Sequence, residues 1–387
     1  MSIRHKGFIA GAYEHPTRKA TGISLAQLHA ECARGALADA GLQMSDVDAY
    51  YAAGDAPGFG SLSMADYLGL KTVNHVDNTE TGGSAPIVLA AHAAEAIAAG
   101  KCRVALITMA GKPRTTNPAQ MAPYNPSAPE NPFESPYGFA APNLYAMAAR
   151  RHMYEFGTTS EQLAWVKVAA SQHAQHNAHA MLPTAVTVEE VLASPFVADP
   201  LHRLDCCVTS DGGGAILVVA PEIARELKRP LVAIRAAAEA VKHQRGGDLD
   251  FTYSAGAFSG PKAFADAGVG PADIKYASVY DSFTITVIIT LEDLGFCAKG
   301  EGGRFVADGA LISGVGRMPL NTDGGGLCNN HPGGRGGMPR LVEAVRQVRG
   351  EAHPLVQVKN CDLALAHGSG AYIAPRGGSA TMILERL

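Results

Sequence analysis

Short apolar runs alternate along this chain with longer stretches whose apolar residues recur every three or four positions, the periods of buried strands and of amphipathic helices. Gly7 to Ala12 reads as a strand. Ser24 opens a helix to Ala40 that keeps Leu25, Leu28, Cys32, Ala36 and Leu37 along one face, and Gly41 stands where a helix stops. Asp48 to Ala53 reads as the next strand. Ser84 caps a helix to Ala99, Gly100 ends it, and Val104 to Met109 is a buried strand. Strands alternating with helices predict a mostly parallel sheet with helices on its faces. The pattern breaks at residues 112–143, which hold eight prolines. A polar helical segment follows, roughly Asn143 to Ala180, with the only tryptophan, Trp165. An excursion of this kind over an α/β core builds a lid or a substrate pocket. Asp211-Gly212-Gly213-Gly214 then feeds a strand, Ala215 to Ala220.

The same plan returns further on. Leu231 to Ala237 is a strand, a helix lies around Pro261 to Ala267, and Thr284 to Leu294 is a helix stopped by Gly295. Met338 to Val348 is helical, and the closing strands are Leu363 to Ala366 and Ala380 to Leu384. Local sequence repeats too. Residues 40–47 (AGLQMSDV) resemble residues 267–274 (AGVGPADI), and each leads to a strand ending at an aspartate, Asp55 or Asp281. Asn78-Thr79-Glu80-Thr81-Gly82-Gly83-Ser84 resembles Asn321-Thr322-Asp323-Gly324-Gly325-Gly326, which His331-Pro332-Gly333-Gly334 follows. The chain therefore divides into halves 1–222, carrying an inserted region over 112–200, and 223–387, whose glycine-rich loops meet at one site.

Composition narrows the class. The 387 residues are 47% hydrophobic and 18% charged, with a net charge of −4, which fits a large buried core and excludes a nucleic-acid surface or a polybasic membrane patch. Seven cysteines, with neither CxxC nor Cys/His ligand spacing, fit reduced thiols in a cytoplasmic protein. No secretory leader or bilayer-length apolar run is evident. His173, His176 and His179 recur every third residue, a spacing that can present a metal edge; a solvated histidine face is the better reading, and no metal is expected. Arg150, Arg151 and Lys167 could meet a phosphate or be ordinary surface charge.

Three motifs together resemble the thiolase superfamily, within it the sterol-carrier/lipid-transfer branch, over nearly the whole chain. Leu204 to Gly212 is similar to that branch's segment before the last strand of the first half. Tyr280-Asp281-Ser282-Phe283 is similar to its His-Asp-x-Phe site, and Asn321 to Gly326 with His331-Pro332 to its Asn-x-x-Gly-Gly…Gly-His-Pro site. The resemblance implies an α/β fold of two duplicated βαβαβαββ halves in α/β/α/β/α layers, an acyl-CoA substrate and a homodimer. Coenzyme A would arrive as part of the substrate, with no further cofactor.

The departures shape the chemistry. A thiolase uses one cysteine as acyl-holding nucleophile and a second as base. The resemblance puts Thr79 at the nucleophile's place and His367, in His367-Gly368-Ser369-Gly370, at the second cysteine's. Tyr280 replaces the histidine of His-Asp-x-Phe, and His331 keeps the His-Pro histidine. A neutral threonine hydroxyl is a poor nucleophile, which leaves acid–base chemistry. His331 would polarise a thioester carbonyl, His367 would move a proton, and Tyr280 would serve an alkoxide. Asn321, Gly325 and Gly368 are the loop positions expected to frame an oxyanion, and Asp323 would orient His331 or cap backbone amides. This set suits retro-aldol cleavage of a β-hydroxyacyl-CoA or partner-assisted acyl transfer. It resembles cysteine-less members, steroid side-chain aldolases among them, that work with a small zinc-ribbon/OB-fold partner of the DUF35 type. A tyrosine often follows the His-Pro-Gly turn there; Arg335 stands near that place here. An inactive acyl-CoA-binding scaffold is the alternative, and a ketosynthase-type enzyme fits least.

Overall fold

The computed structural model describes residues 3–54, 56–116, 128–137, 140–243, 249–373 and 376–387. Asp55 and much of the proline-rich excursion, 117–127 with 138 and 139, lie outside the described residues.

The first half runs β1 (Phe8–Glu14), α1 (Leu25–Ala40), β2 (Ala49–Ala52), α2 (Ser61–Tyr67), β3 (His75–Asn78), α3 (Ala85–Ala98) and β4 (Val104–Gly111). The inserted region contributes α4 (Ala141–Phe156), α5 (Ser160–Ala174) and a small ribbon, β5 (Phe196–Ala198) with β6 (Leu201–His202), before β7 (Gly212–Val219) closes the half. The segment read as one helix from 143 to 180 is two, because Gly157 takes up the left-handed conformation that ends α4 and Thr159 caps α5. The second half runs β8 (Val232–Lys242), α6 (Gly256–Ala267), β9 (Tyr276–Val279), α7 (Thr284–Asp293), α8 (Gly337–Arg349), β10 (Leu363–Gly370) and β11 (Gly377–Arg386).

Strand order is β3-β2-β4-β7-β1-β8-β11-β10-β9. A single residue pair, Phe8 with Ala233, joins β1 to β8, so the ladder is two sheets sharing an edge contact. Within each, the order repeats: β2-β4-β7-β1 matches β9-β10-β11-β8. The counterpart of β3 has shrunk to one parallel bridge between Ala277 and Leu320. The sheets are mixed rather than mostly parallel. Only β2–β3, β2–β4 and β9–β10 are parallel, while β1–β7, β4–β7, β8–β11 and β10–β11 are antiparallel. Six residues separate β10 from β11, too few for the crossover that parallel pairing requires, while β7 returns after the inserted helices and still runs antiparallel to β1 and β4.

Three buried clusters define the layers. One packs α3 and α8 between the two sheets, with Ile87, Leu89, Leu341 and Val345 against Ile107, Ile216, Ala364 and Met382. The second covers the outer face of the first sheet with α1, and the third covers the outer face of the second with α4, α5, α6 and α7. The result is helix, sheet, helix, sheet, helix. Alternation along β10 then matters for the site. Ala364 and Ala366 face the central helices and Leu363 and Leu365 the outer ones, so His367 belongs to the outer face and Gly368 to the central one.

Candidate active site

The second-half loops form a rigid frame. Asn321 holds a positive φ of 50° and its side-chain amide does the work of a strand, accepting from the Val279 amide and donating to the Val279 carbonyl, both at 2.9 Å. Asp281 accepts the amides of Gly326 (2.7 Å) and Leu327 (3.2 Å). Burial raises its pKa to about 6, against the pull of Arg340 and those amides. Gly325 has φ +65°, and a β-carbon there would sit 2.0 Å from Asp281 Oδ2. Asp323 caps the Gly325 amide (3.0 Å) and pairs with the fully buried Arg340, whose Nη1 donates at 2.6 Å. Asp323 therefore anchors the loop; its recorded partners do not include the His331 ring.

His331 lies on this frame. Its amide donates to Ser210 Oγ (2.8 Å), and Ser210 donates to Asn330 Oδ1 (2.7 Å). Its Nε2 is buried and has no hydrogen-bond partner. Burial lowers its pKa to about 4, so the ring is neutral at pH 7. Tyr280 stands beside it, ring centroids 5.2 Å apart, and donates its hydroxyl to the Gly333 carbonyl at 3.3 Å. Burial raises the Tyr280 pKa well above the usual phenol value, Cys207, Tyr145 and Asp281 add to the rise, and Arg335 opposes it.

The first-half turn closes over this pair. A β-carbon on Gly83 would lie 2.3 Å from Tyr280 Cε2 and 2.4 Å from the Ser369 carbonyl oxygen, so only glycine lets the turn approach so closely. Gly368 backs onto the Gly83 carbonyl, which an added β-carbon would meet at 2.5 Å. Glu80 reaches the His331 loop, taking both guanidinium nitrogens of Arg335 at 3.2 and 2.5 Å. Arg335 is 5% exposed; burial of Glu80 raises its carboxyl, but the Arg335 pairing and nearby amides outweigh it and hold the group below its usual range. In the sequence Arg335 stands out only as a departure after the His-Pro-Gly turn, and Glu80 only as part of the Asn78–Ser84 repeat. Their separation hides the pairing, and only the opposite charges in two loops that face each other could have pointed to it.

Tyr280 and His331 thus meet, with the Gly83 turn above them. Thr79 turns elsewhere, donating to Asp77 Oδ1 (2.8 Å), whose other oxygen meets His92 Nδ1 (2.6 Å). His367 faces the outer layer. Its Nδ1 meets Thr381 Oγ1 (2.9 Å), its Nε2 is 3.4 Å from Ser369 Oγ, and burial lowers its pKa to about 3. The Tyr280 amide donates to the His367 carbonyl at 3.0 Å. The cysteines offer no ready thiolate: burial raises the pKa of Cys206, Cys207 and Cys328. His173 is buried and accepts the Ser313 amide, and His176 stacks on His353. Among the described residues no cluster could hold a metal. Arg150 and Arg151 line a surface cleft of about 910 Å³, paired with Asp199 and Glu155, while Lys167 is buried and donates to the Leu327 carbonyl. No described helix is long and apolar enough to cross a membrane.

Comparison with known proteins places this geometry. Residues 238–386 match the family described as thiolase C-terminal domain-like. An acetyl-CoA acetyltransferase of Methanothermobacter thermautotrophicus is 34% identical over 371 residues, covering 93% of this chain and 94% of that protein. The chain belongs to the thiolase superfamily. A sterol carrier protein 2 of Rattus norvegicus is 30% identical over 258 residues, 64% of this chain and 45% of that protein. A 17-hydroxy-3-oxo-4-pregnene-20-carboxyl-CoA lyase of Mycobacterium tuberculosis is 35% identical over 361 residues, 88% of this chain and 91% of the relative. The solved structure of an Ltp2-ChsH2(DUF35) aldolase superposes with a TM-score of 0.89 at 33% identity, covering 99% of this chain and 98% of the other. The duplicated layers and the loops around His331 are thus those of a superfamily member, set with Tyr280 and the Glu80–Arg335 pair.

Proposed function

We propose that this thiolase-superfamily enzyme makes or breaks the Cα–Cβ bond of a β-hydroxyacyl-CoA by an aldol reaction, with no acyl-enzyme. One observation carries the reading: the neutral His331 ring presents a buried Nε2 without a partner directly beside Tyr280. In the Nε2–H tautomer it donates to the thioester oxygen, and its donation strengthens as that oxygen takes on enolate charge. In cleavage the β-hydroxyl proton passes to the Tyr280 phenolate, the carbinol C–O becomes a carbonyl, and the Cα–Cβ electron pair moves into the thioester enolate. The phenol so formed gives that proton to Cα, which completes the product and restores the phenolate. In condensation the same phenol returns its proton to the developing alkoxide, a task suited to a donor of high pKa. Arg335 is the cation that offsets the cost of the Tyr280 phenolate. Relatives named as a lyase and as an aldolase support this direction, and coenzyme A enters only as part of the substrate.

The DUF35 component named for the structural neighbour supports a partner of that type here. A homodimer fits the edge position of β3, paired on one side only, next to the exposed Phe59, Leu62 and Tyr67. Incubation of the purified protein with β-hydroxyacyl-CoA and β-ketoacyl-CoA, alone and with a co-encoded OB-fold protein, tests the activity. Carbonyl product from the hydroxy substrate is expected. Unchanged substrate in every arm would leave a binding scaffold as the function. Sedimentation of the protein with and without Leu62→Lys tests the dimer.

A further inference from the structure

A stripe of hydroxyls lies behind the reactive loops, on a face that is otherwise apolar. Ser369 and Ser379 are cross-strand partners on β10 and β11, two pairs along from His367 and Thr381 and so on the same face. Thr286 and Thr290, four apart and so on one face of α7, look toward them, and Ser254 comes in ahead of α6. Together with Tyr145, Gly370 and Gly378 these residues line a void of about 10 Å³, room for one water-sized group.

Two of the lining hydroxyls, Thr290 Oγ1 and Ser379 Oγ, are buried and have no hydrogen-bond partner, with residue exposures of 1% and 2%. Their neighbours are committed. Ser254 Oγ donates to Asp293 Oδ2 (2.8 Å), Thr286 Oγ1 meets Ser282 Oγ (3.1 Å), and Ser369 Oγ is 3.4 Å from His367 Nε2. Unpaired buried hydroxyls destabilise a fold, so two of them facing one void mark a place for an oxygen that comes from outside.

The void adjoins the reacting loops. A β-carbon on Gly370 would lie 1.5 Å from the Thr81 carbonyl oxygen, and Gly378 faces Ser84 Oγ at 3.6 Å, so a glycine wall separates the void from the 81–84 turn. Tyr145 stacks on Phe283 of the Tyr280-to-Phe283 motif at 4.5 Å. Ser369, in the void's lining, presents its carbonyl to Gly83 beside Tyr280, so the void lies one residue away from the Tyr280–His331 pair.

We propose that this chamber is an acyl subsite that binds one oxygen, a hydroxyl or a carbonyl, borne on the substrate's carbon skeleton beyond the reacting centre. The inference rests on the acyl-CoA reading above and names what the acyl group carries. Thr290 and Ser379 supply the two hydroxyls that such an oxygen meets. His367, through Ser369, holds the chamber's inner end, which gives the buried histidine a place away from bond cleavage. A site built to pair an oxygen rejects a ligand lacking it far more strongly than an apolar pocket rejects an extra methylene.

The test is calorimetric binding of saturated acyl-CoAs and of matched acyl-CoAs bearing a single hydroxyl or keto group at successive carbons. At one position the oxygen should tighten binding by about tenfold, and Thr290→Val with Ser379→Ala should abolish that gain while leaving the parent acyl-CoA bound as before. Circular dichroism checks that the variant is folded, and each single variant serves if the double one is not. No preference for oxygen at any position, with the parent bound, overturns this inference alone. A preference that survives in the folded variants overturns it too. Failure to bind any acyl-CoA removes the broader reading along with it.

Discussion

The two glycine-rich loops look alike in sequence and are fastened in opposite ways. The second, from Asn321 to His331, is tied down by its own buried side chains: Asn321 to Val279, Asp323 to Arg340, and Asp281 to two of its amides. The first, from Asn78 to Ser84, is fixed mainly by fit. Gly83 lies against Tyr280, the Gly370 backbone against Thr81, and one charged arm, Glu80, reaches the other loop. Of the two groups proposed to react, His331 ends the internally bolted loop and Tyr280 precedes Asp281, which bolts it, while the first turn is a wall fitted over them.

Substitutions separate the two modes of fastening. The largest effect on stability is expected at the bolt. Asp323→Ala strands the buried Arg340 charge and should destabilise the fold by about 3–5 kcal/mol in denaturant titration. Glu80→Gln removes the half-exposed arm and should cost no more than about 1 kcal/mol. Equal losses from both would erase the contrast. Turnover is expected to divide the same way. His331→Phe and Tyr280→Phe should each slow the reaction by about 10²–10³-fold while melting near the parent temperature. Thr79→Val, whose hydroxyl faces Asp77, should change the rate by less than about threefold.

Proton linkage sharpens the comparison further. Cleavage needs the Tyr280 oxygen unprotonated, and its pKa is raised. The cleavage rate should therefore climb with pH beyond neutrality, with no plateau near pH 7. A flat profile from pH 7 to 9 would argue that Tyr280 is not the acceptor. Stability carries the opposite signature. His331, at about 4, and His367, at about 3, have folded values below the ordinary 6.5. Below pH 6.5 the unfolded chain binds the protons first, so the stability these neutral rings contribute is full above that value and falls as pH drops toward their folded values. Each group should cost about 1.4 kcal/mol per pH unit in that window. His331→Phe and His367→Phe should each flatten the acid limb in urea titrations. Gly83→Ala, which pushes a methyl into Tyr280 and the Ser369 carbonyl, should cost about 1–3 kcal/mol, a loss that cutting Tyr280 to alanine relieves only in part.

The amino-acid order alone determined much of the frame. Apolar periods and the helix-end residues Ser24, Gly41 and Gly295 marked most of the long elements within a few residues, because helix ends and buried strands are local matters. Residues 40–47 and 267–274 gave away the duplication, and three motifs gave the superfamily. Strand direction was not local. The last strand of each half also pairs antiparallel with strands far away in the chain, β7 with β1 and β4 and β11 with β8, and the short β3 carries too few residues to announce itself. The site was readable only in part. Tyr280 and His331 sit on loops whose glycines advertise them, and the structure brings the two together. Which way a side chain points is another matter, since it depends on strand register. One step along β10 separates His367, facing Thr381 and α6, from Gly368, facing the Gly83 turn, and two residues separate Asp77 from Thr79, which bonds to it. The Glu80–Arg335 pair and the Thr290–Ser379 chamber join residues from distant segments. They exist only once the halves have folded against one another, because a salt bridge or an unpaired hydroxyl is a property of the place a residue reaches.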